Sequence, residues 1–336
     1  MMSSGTHSKL IKTTREERFM PMSKLLKGAA VAATTLALSV PAMADWSPQG
    51  PIKLMIGFGA GGGADTQARM IAEHMEANQG WEIIPEQVTG KGGLNLANKL
   101  KDAPADGQTI GMIVTESLGY NLAAGNAKFL PSDFTGLTTT AGFQMAVVAK
   151  ADKGWATMED ALAAAKAGEQ LRFGTMTPKL TDLAYLLGKN NGVEFNIIQG
   201  KGGKSVMNGV NAGDMDLGFM AGIQAKGVKS GDYVELASAI GEPLVNTPAA
   251  KTLEQLGVPF NAAGYFVIVA PAGISDAART ALTDAIIAAI DTEGSKANGL
   301  INKAFGGTSI IQGAELDALL ASDYAAAGGL LEAASE

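Results

Sequence analysis

The stretch Ile52-Lys53-Leu54-Met55-Ile56-Gly57-Phe58-Gly59-Ala60-Gly61-Gly62-Gly63-Ala64-Asp65 decides the fold. Its first seven residues form a short apolar run suited to a buried strand. Gly59 to Gly63 is a glycine loop, where a missing Cβ permits a tight turn and lets a ligand approach backbone N–H groups. From Asp65 to Asn78 the spacing is helical, with Met70, Ile71 and Met75 on one side. Strand, glycine loop and helix in that order open an α/β unit. The helix points its positive end at the loop, so an anion is favoured there.

Outward from this unit the pattern continues. Trp81 to Val88 reads as a strand, Gly90-Lys-Gly-Gly93 as a turn, Leu94 to Lys101 as a helix and Thr109 to Val114 as a strand. Phe143 to Ala149 is another strand. A second round follows a helix over Met158 to Ala167. It comprises strand Leu171 to Gly174, the polar loop Thr175-Met-Thr-Pro-Lys179, helix Leu180 to Lys189, strand Glu194 to Ile198, a second Gly200-Lys-Gly-Gly203, a helix to Val210 and strand Leu217 to Met220. The shared order predicts two similar α/β lobes with parallel sheets. Tyr265 to Ala270 is a further apolar strand. Ser275 caps a long helix to Ile290, and Ala314 to Ala327 predicts a last helix. Returning this segment to the first lobe gives two crossovers between lobes. The expected boundaries are 45–149 plus 262–336 for the first lobe and 150–261 for the second.

The first 44 residues read as a targeting segment rather than fold. Met22 to Lys27 is basic, Gly28 to Val40 is small and apolar, and Ala42-Met-Ala44 has the form of a signal-peptidase site. Cleavage after Ala44 and a periplasmic destination are expected. Six of the 26 basic and two of the 33 acidic residues precede residue 45, leaving 20 against 31 and a net charge of −11. That opposes nucleic-acid binding, which needs a basic face. It also offers no long-range attraction to an anion. With no Cys there is no disulfide framework and no thiol nucleophile, and two His, His7 and His74, cannot build a His-rich metal site. No metal and no cofactor is expected. Gly57-Phe-Gly59-Ala-Gly-Gly62 satisfies G-x-G-x-x-G with Glu86 at a plausible distance, but a lone match carries little. Gly203-Lys-Ser205 fails as a phosphate loop because Ile198 stands where its first glycine is required.

Six segments in register resemble one family. They are Phe58-Gly-Ala-Gly-Gly-Gly-Ala-Asp-Thr-Gln-Ala-Arg69, Val88-Thr-Gly-Lys-Gly-Gly-Leu-Asn95, Ala103-Pro-Ala-Asp-Gly107, Gly200-Lys-Gly-Gly203, Gly213-Asp-Met-Asp-Leu217 and Phe266-Val-Ile-Val-Ala-Pro-Ala-Gly273. Together they are similar to the Bug receptors, the extracytoplasmic substrate-binding proteins of tripartite tricarboxylate transporters. The resemblance implies a two-lobed periplasmic binding protein, a Venus flytrap of type II-like connectivity. It also implies a carboxylate held by backbone N–H groups at two loop–helix junctions: Ala60 to Asp65 and, in the second lobe, Thr175 to Asp182. The second loop departs from the family pattern, being shorter and charged, and Glu116 stands where a small or hydroxyl residue is common.

The candidate ligand-binding residues are therefore Phe58, Ala60, Gly61, Gly62, Gly63, Asp65, Thr115, Glu116, Thr175, Met176, Thr177, Lys179, Asp182 and Gly202. Lys179 could pair with a carboxylate, and Glu116 or Asp182 could meet an ammonium group. The expected function is a monomeric periplasmic receptor, not an enzyme. It captures a small organic carboxylate, zwitterionic in one version, and delivers it to membrane permease subunits. The competing readings are an exported NAD-linked or hydrolytic enzyme using His74, and a ligand-presenting partner of a two-component sensor.

Overall fold

The computed structural model describes residues 46–336; the expected targeting segment lies outside them. The described chain builds two five-stranded sheets. In the first, strands β1 (Ile52–Ile56), β2 (Ile83–Gln87) and β3 (Thr109–Val114) run parallel in the order β2-β1-β3, with β1 in the middle. In the second, β6 (Arg172–Thr175), β7 (Asn196–Gln199) and β8 (Leu217–Met220) repeat that arrangement as β7-β6-β8. The internal echo is thus a repeated supersecondary unit. Helix α1 (Gly63–Gln79) follows β1 and α2 (Leu94–Leu100) follows β2. Helix α6 (Pro178–Asn190) follows β6 and α7 (Gly203–Ala212) follows β7. Two short helices, α3 (Thr115–Leu118) and α4 (Tyr120–Ala124), continue directly from the end of β3, and α5 (Met158–Lys166) leads into the second unit.

The sheets are mixed, not parallel as expected. Strand β4 (Phe134–Gly142) and the last strand, β10 (Tyr265–Pro271), join the first sheet antiparallel, β10 lying between β3 and β4. β5 (Ala146–Lys150) and β9 (Tyr233–Ser238) join the second, β5 running antiparallel to both β8 and β9. The sheet order corrects one boundary. The expected division places residues 146–149 in the first lobe, but their strand pairs only within the second sheet, so the change of lobe falls at 143–145. β4 is not marked in the sequence because Thr135, Gly136 and Thr138 to Thr140 read as loop. Its buried hydroxyls are bonded: Thr139 Oγ1 donates to the Ser309 carbonyl (2.6 Å) and Thr140 Oγ1 to Gln67 Oε1 (2.6 Å).

The chain passes from the first sheet to the second at 143–145 and returns over 239–264. The two passages lie side by side. Phe143 N donates to the Gly264 carbonyl (2.9 Å), Ala239 N to Met145 O (2.9 Å) and Ala262 N to Ala239 O (2.6 Å). After helix α8 (Ala225–Ser230) and β9, the return brings β10 into the buried centre of the first sheet. Ser275 caps α9 (Asp276–Asp291) by accepting from Ala278 N. α10 (Lys296–Ala304) packs on α1 and α9. The expected last helix is two: α11 (Gly313–Ala325) on β4 and α12 (Gly328–Ser335) against α6 of the second lobe.

Candidate functional site

The apolar run of β1 ends at Gly57, and the glycine loop carries the chain across the first sheet's edge to α1. Asp65, in the first turn of α1, folds back to hold this loop. Its Oδ2 accepts from Gly61 N (2.9 Å), and its Oδ1 accepts from Arg69 Nε (2.9 Å) and Gln87 Nε2 (3.0 Å). Asp65 is buried and fully engaged, so it shapes the loop rather than facing a ligand. The N-cap of α1 is Gly62, with no side chain capping the first turn. Opposite stands α7, whose N-cap Gly202 likewise supplies no side chain. A Cβ placed on Gly62 would lie 3.9 Å from Lys204 N. Two uncapped helix N-termini, one per lobe, therefore face each other across the crevice. Both present positive dipole ends, so an anion between them answers both.

The second expected junction behaves differently. Pro178 has no N–H, Leu180 N is taken by the Thr177 side chain, and Lys179 N donates to Asn121 Oδ1 (3.3 Å) from the other lobe. The first-turn donors of α6 are already used. Thr175 is buried with its hydroxyl on Thr181 (3.0 Å). Of this loop only Met176 and Thr177, with Leu180 beyond it, line the cleft.

The cleft is narrow and partly continuous with solvent. Phe58, Gly62, Gly63, Glu116, Met176 and Thr177, all expected site residues, line it, together with Ala64, Val114, Phe143, Met145, Gly203, Ile223, Phe266 and Phe305. Phe266 stacks edge-on with Phe143 (centroids 5.1 Å apart) and with Phe305 (4.9 Å), giving an aromatic wall. The crevice is thus mainly apolar with backbone donors at one end.

Several expected residues lie elsewhere. Ala60 is exposed on the outer side of the loop. Gly61 borders a neighbouring hollow with Thr66, Lys226, Lys229 and Lys303. Thr115 is buried inside the first lobe, where its hydroxyl accepts from Tyr265 N (3.2 Å) and ties α3 to β10. Gly202 makes a close approach between lobes. Its φ is +149°, and a Cβ there would sit 3.2 Å from Gly59 N.

The two GKGG turns have reciprocal places. Gly59 N in the first lobe donates to Lys201 O of the second-lobe turn (3.0 Å). Gly92 of the first-lobe turn, at φ +62°, lies against Asn121 and Pro178 at the start of α6. Each lobe's turn covers the helix N-terminus of the other. Sequence reasoning missed two residues that complete this contact. Asn121, fully buried, donates to Gly92 O (3.1 Å) and accepts from Lys179 N. Tyr120 donates its hydroxyl to Asp182 Oδ2 across the lobes (2.5 Å). Burial and the Asp182 carboxylate push the Tyr120 hydroxyl far above its usual range, so it stays protonated. Burial raises Asp182, and the Tyr120 bond offsets only part of that. Both residues follow the carboxyl end of β3, where crevices form in open α/β sheets.

Lys179 is not an ion-pair partner of Glu116. It borders a second chamber with Glu116, Tyr120, Asn261 and Asp323, and its charge acts on Asp323, whose carboxyl is raised by burial. The crevice rim, however, is cationic. Lys91 and Lys201 border one hollow beside it and Lys226, Lys229 and Lys303 another, and none pairs with a described carboxylate within 4.0 Å.

Two mixed α/β lobes joined by paired crossovers, with a crevice at strand ends and helix N-termini, are the architecture of a periplasmic binding protein. The chain belongs to the tripartite tricarboxylate transporter receptor family, whose TctC model matches residues 67–306. The "UPF0065 protein in gbd 5′ region" of Cupriavidus necator is 30% identical over 78% of this chain and 83% of its own. The periplasmic binding protein BugD shares the fold at a TM-score of 0.76 and 19% identity, over 86% of this chain and 99% of its own. So does MatC from Rhodopseudomonas palustris with bound malate, at 0.72 and 18%, over 85% and 100%. The family is one of receptors, so the enzyme readings fall away; His74 lies on α1, outside the cleft. Among the described residues no helix is long and apolar enough to cross a membrane.

Proposed function

We propose that this chain is a periplasmic receptor that captures a small organic carboxylate between its lobes and presents it to the permease subunits of a tripartite transporter. The observation that carries this reading is the pair of uncapped helix N-termini, α1 and α7, facing each other over an apolar cleft. A carboxylate accepts N–H groups from both helices, one in each lobe, and so favours the closed arrangement over an open one. That differential contact is what a ligand needs to shift the equilibrium. Malate in MatC, and adipate in another R. palustris protein of the same fold, support a carboxylate as the ligand class. In this reading Gly62, Gly63, Ala64 and Gly203 bind the carboxylate through their backbone. Phe58, Phe143, Met145, Met176, Phe266 and Phe305 enclose the body, and the Lys rim draws the anion in. The receptor acts as a monomer, exported by the segment before Asp45.

Gly62→Val tests it. The new side chain enters the gap between the two N-termini, and its Cβ also lies 3.2 Å from Gly59 O, requiring a small local adjustment. Wild type is expected to gain about 2.7 kcal/mol of stability from a carboxylate at 100 times its Kd. The variant should melt in one transition and bind at least tenfold more weakly. If nucleotides alone raise the wild-type melting temperature, or Gly62→Val binds carboxylates unchanged, the reading fails.

A further inference from the structure

Glu116 sits in the first turn of α3 and is 4% exposed. Its Oε1 lies 3.4 Å from Asn121 Nδ2, a long bond. Its Oε2 is buried and has no hydrogen-bond partner among the described residues. No described Lys or Arg approaches it within 4.0 Å. The nearest basic side chain sharing a chamber with it, Lys179, acts on Asp323 instead. Leaving a buried carboxylate oxygen unpaired is costly, and native sites rarely do so without a role. Glu116 borders the same cleft as Gly62, Gly63 and Ala64. The cleft therefore holds, in one space, backbone donors for an anion, an aromatic and methionine wall, and one carboxylate lacking a donor.

Resting on the carboxylate-receptor reading, we infer that the ligand is an apolar amino-carboxylate whose ammonium group donates to Glu116 Oε2 while its own carboxylate lies between α1 and α7. A simple dicarboxylate is disfavoured twice. Its second anionic end meets either Glu116 or the phenylalanine wall, and neither supplies a donor. A zwitterion with an apolar body meets a complement at each part.

The experiment compares matched pairs by calorimetry at neutral pH: L-phenylalanine with 3-phenylpropanoate, L-leucine with 4-methylpentanoate, and 6-aminohexanoate with hexanoate. Wild type is expected to bind the amino member of at least one pair tenfold or more tightly than its desamino partner. Glu116→Gln keeps the side-chain shape and should bring the two within about threefold of each other. If the desamino acids bind wild type as tightly as, or more tightly than, their amino partners, the zwitterion inference is wrong while the carboxylate-receptor reading stands. If malate, adipate and all six probes fail to bind, both readings fall together. Should Glu116→Gln not fold, the wild-type pairs alone decide.

Discussion

Removing the Tyr120 hydroxyl should loosen the clamp without touching the ligand. Tyr120 lies on the first lobe and is 3% exposed; its hydroxyl reaches Asp182 on α6 of the second. It does not line the main cleft. When the lobes part, water takes over both groups, so the bond favours only the closed state. A hydrogen bond to a charged group contributes about 1.5–3 kcal/mol. Asp182 is only partly buried, and solvent screening reduces this to about 1–2 kcal/mol. For a ligand that binds the closed state, Tyr120→Phe should raise the apparent Kd by roughly 5- to 30-fold where the unliganded wild type is mostly open, and by less where it is already closed. The assay is calorimetry with the tightest carboxylate of a panel, beside small-angle scattering of the unliganded protein. In that closed case the variant should show a larger radius of gyration than wild type without ligand, and in either case the wild-type radius at saturation. Unchanged affinity together with an unchanged radius would refute the idea that this bond holds the lobes together.

Other expectations follow from buried charges and the loop. Asp216 pays a desolvation cost, yet bonds from Arg172, Lys153 and the Arg172 backbone N–H hold it well below the usual carboxylate range. Its contribution is full above the ordinary Asp value and disappears as pH falls through its lowered one. Asp216→Asn should lose about 1–3 kcal/mol in neutral urea melts, with the difference from wild type shrinking in strong acid. Asp323 is the opposite case, raised by burial; wild-type stability relative to Asp323→Asn should fall as pH climbs above the ordinary Asp range, read from melting temperatures between pH 4 and 7. Asp65→Ala removes the acceptor for Gly61 N and should weaken carboxylate binding at least fivefold while the isolated melt remains cooperative; full affinity would mean that the loop holds its shape unaided.

The sequence is most legible where chain order and local chemistry coincide. The run from Ile52 to Asp65, the two GKGG turns and the Ser275 cap all depend on near neighbours, and each appears where its local pattern places it. β4 is hidden because its threonines are buried by partners far along the chain, at Ser309 and Gln67. The candidate site is legible by halves. Glycines mark the α1 junction, but in the second lobe it is α7 rather than α6 whose first turn stays uncapped, because Asn121 from the other lobe uses the donor that α6 would offer. Nothing near Thr175 to Asp182 encodes that competition. Nor can periodicity tell which face of an apolar strand meets a crevice, so Phe266 carries no mark in the sequence, and Phe143 reaches the cleft from the passage between the sheets rather than from a strand.

The placement of α12 has a mechanical consequence. Two adjacent connections between rigid bodies, like those at 143–145 and 239–264, allow both a bend and a twist about their common axis. α12 adds a third strap beside the second of them, with Gly329 next to Phe260 and with Ala327 and Leu330 buried. With all three straps on one side, an opening motion would pivot there, and the third strap would resist twisting. The lobes would then open as a door does, away from that side. The N-termini of α1 and α7 would return to the same facing position at each closing, so a site between them would not have to be rebuilt from one cycle to the next.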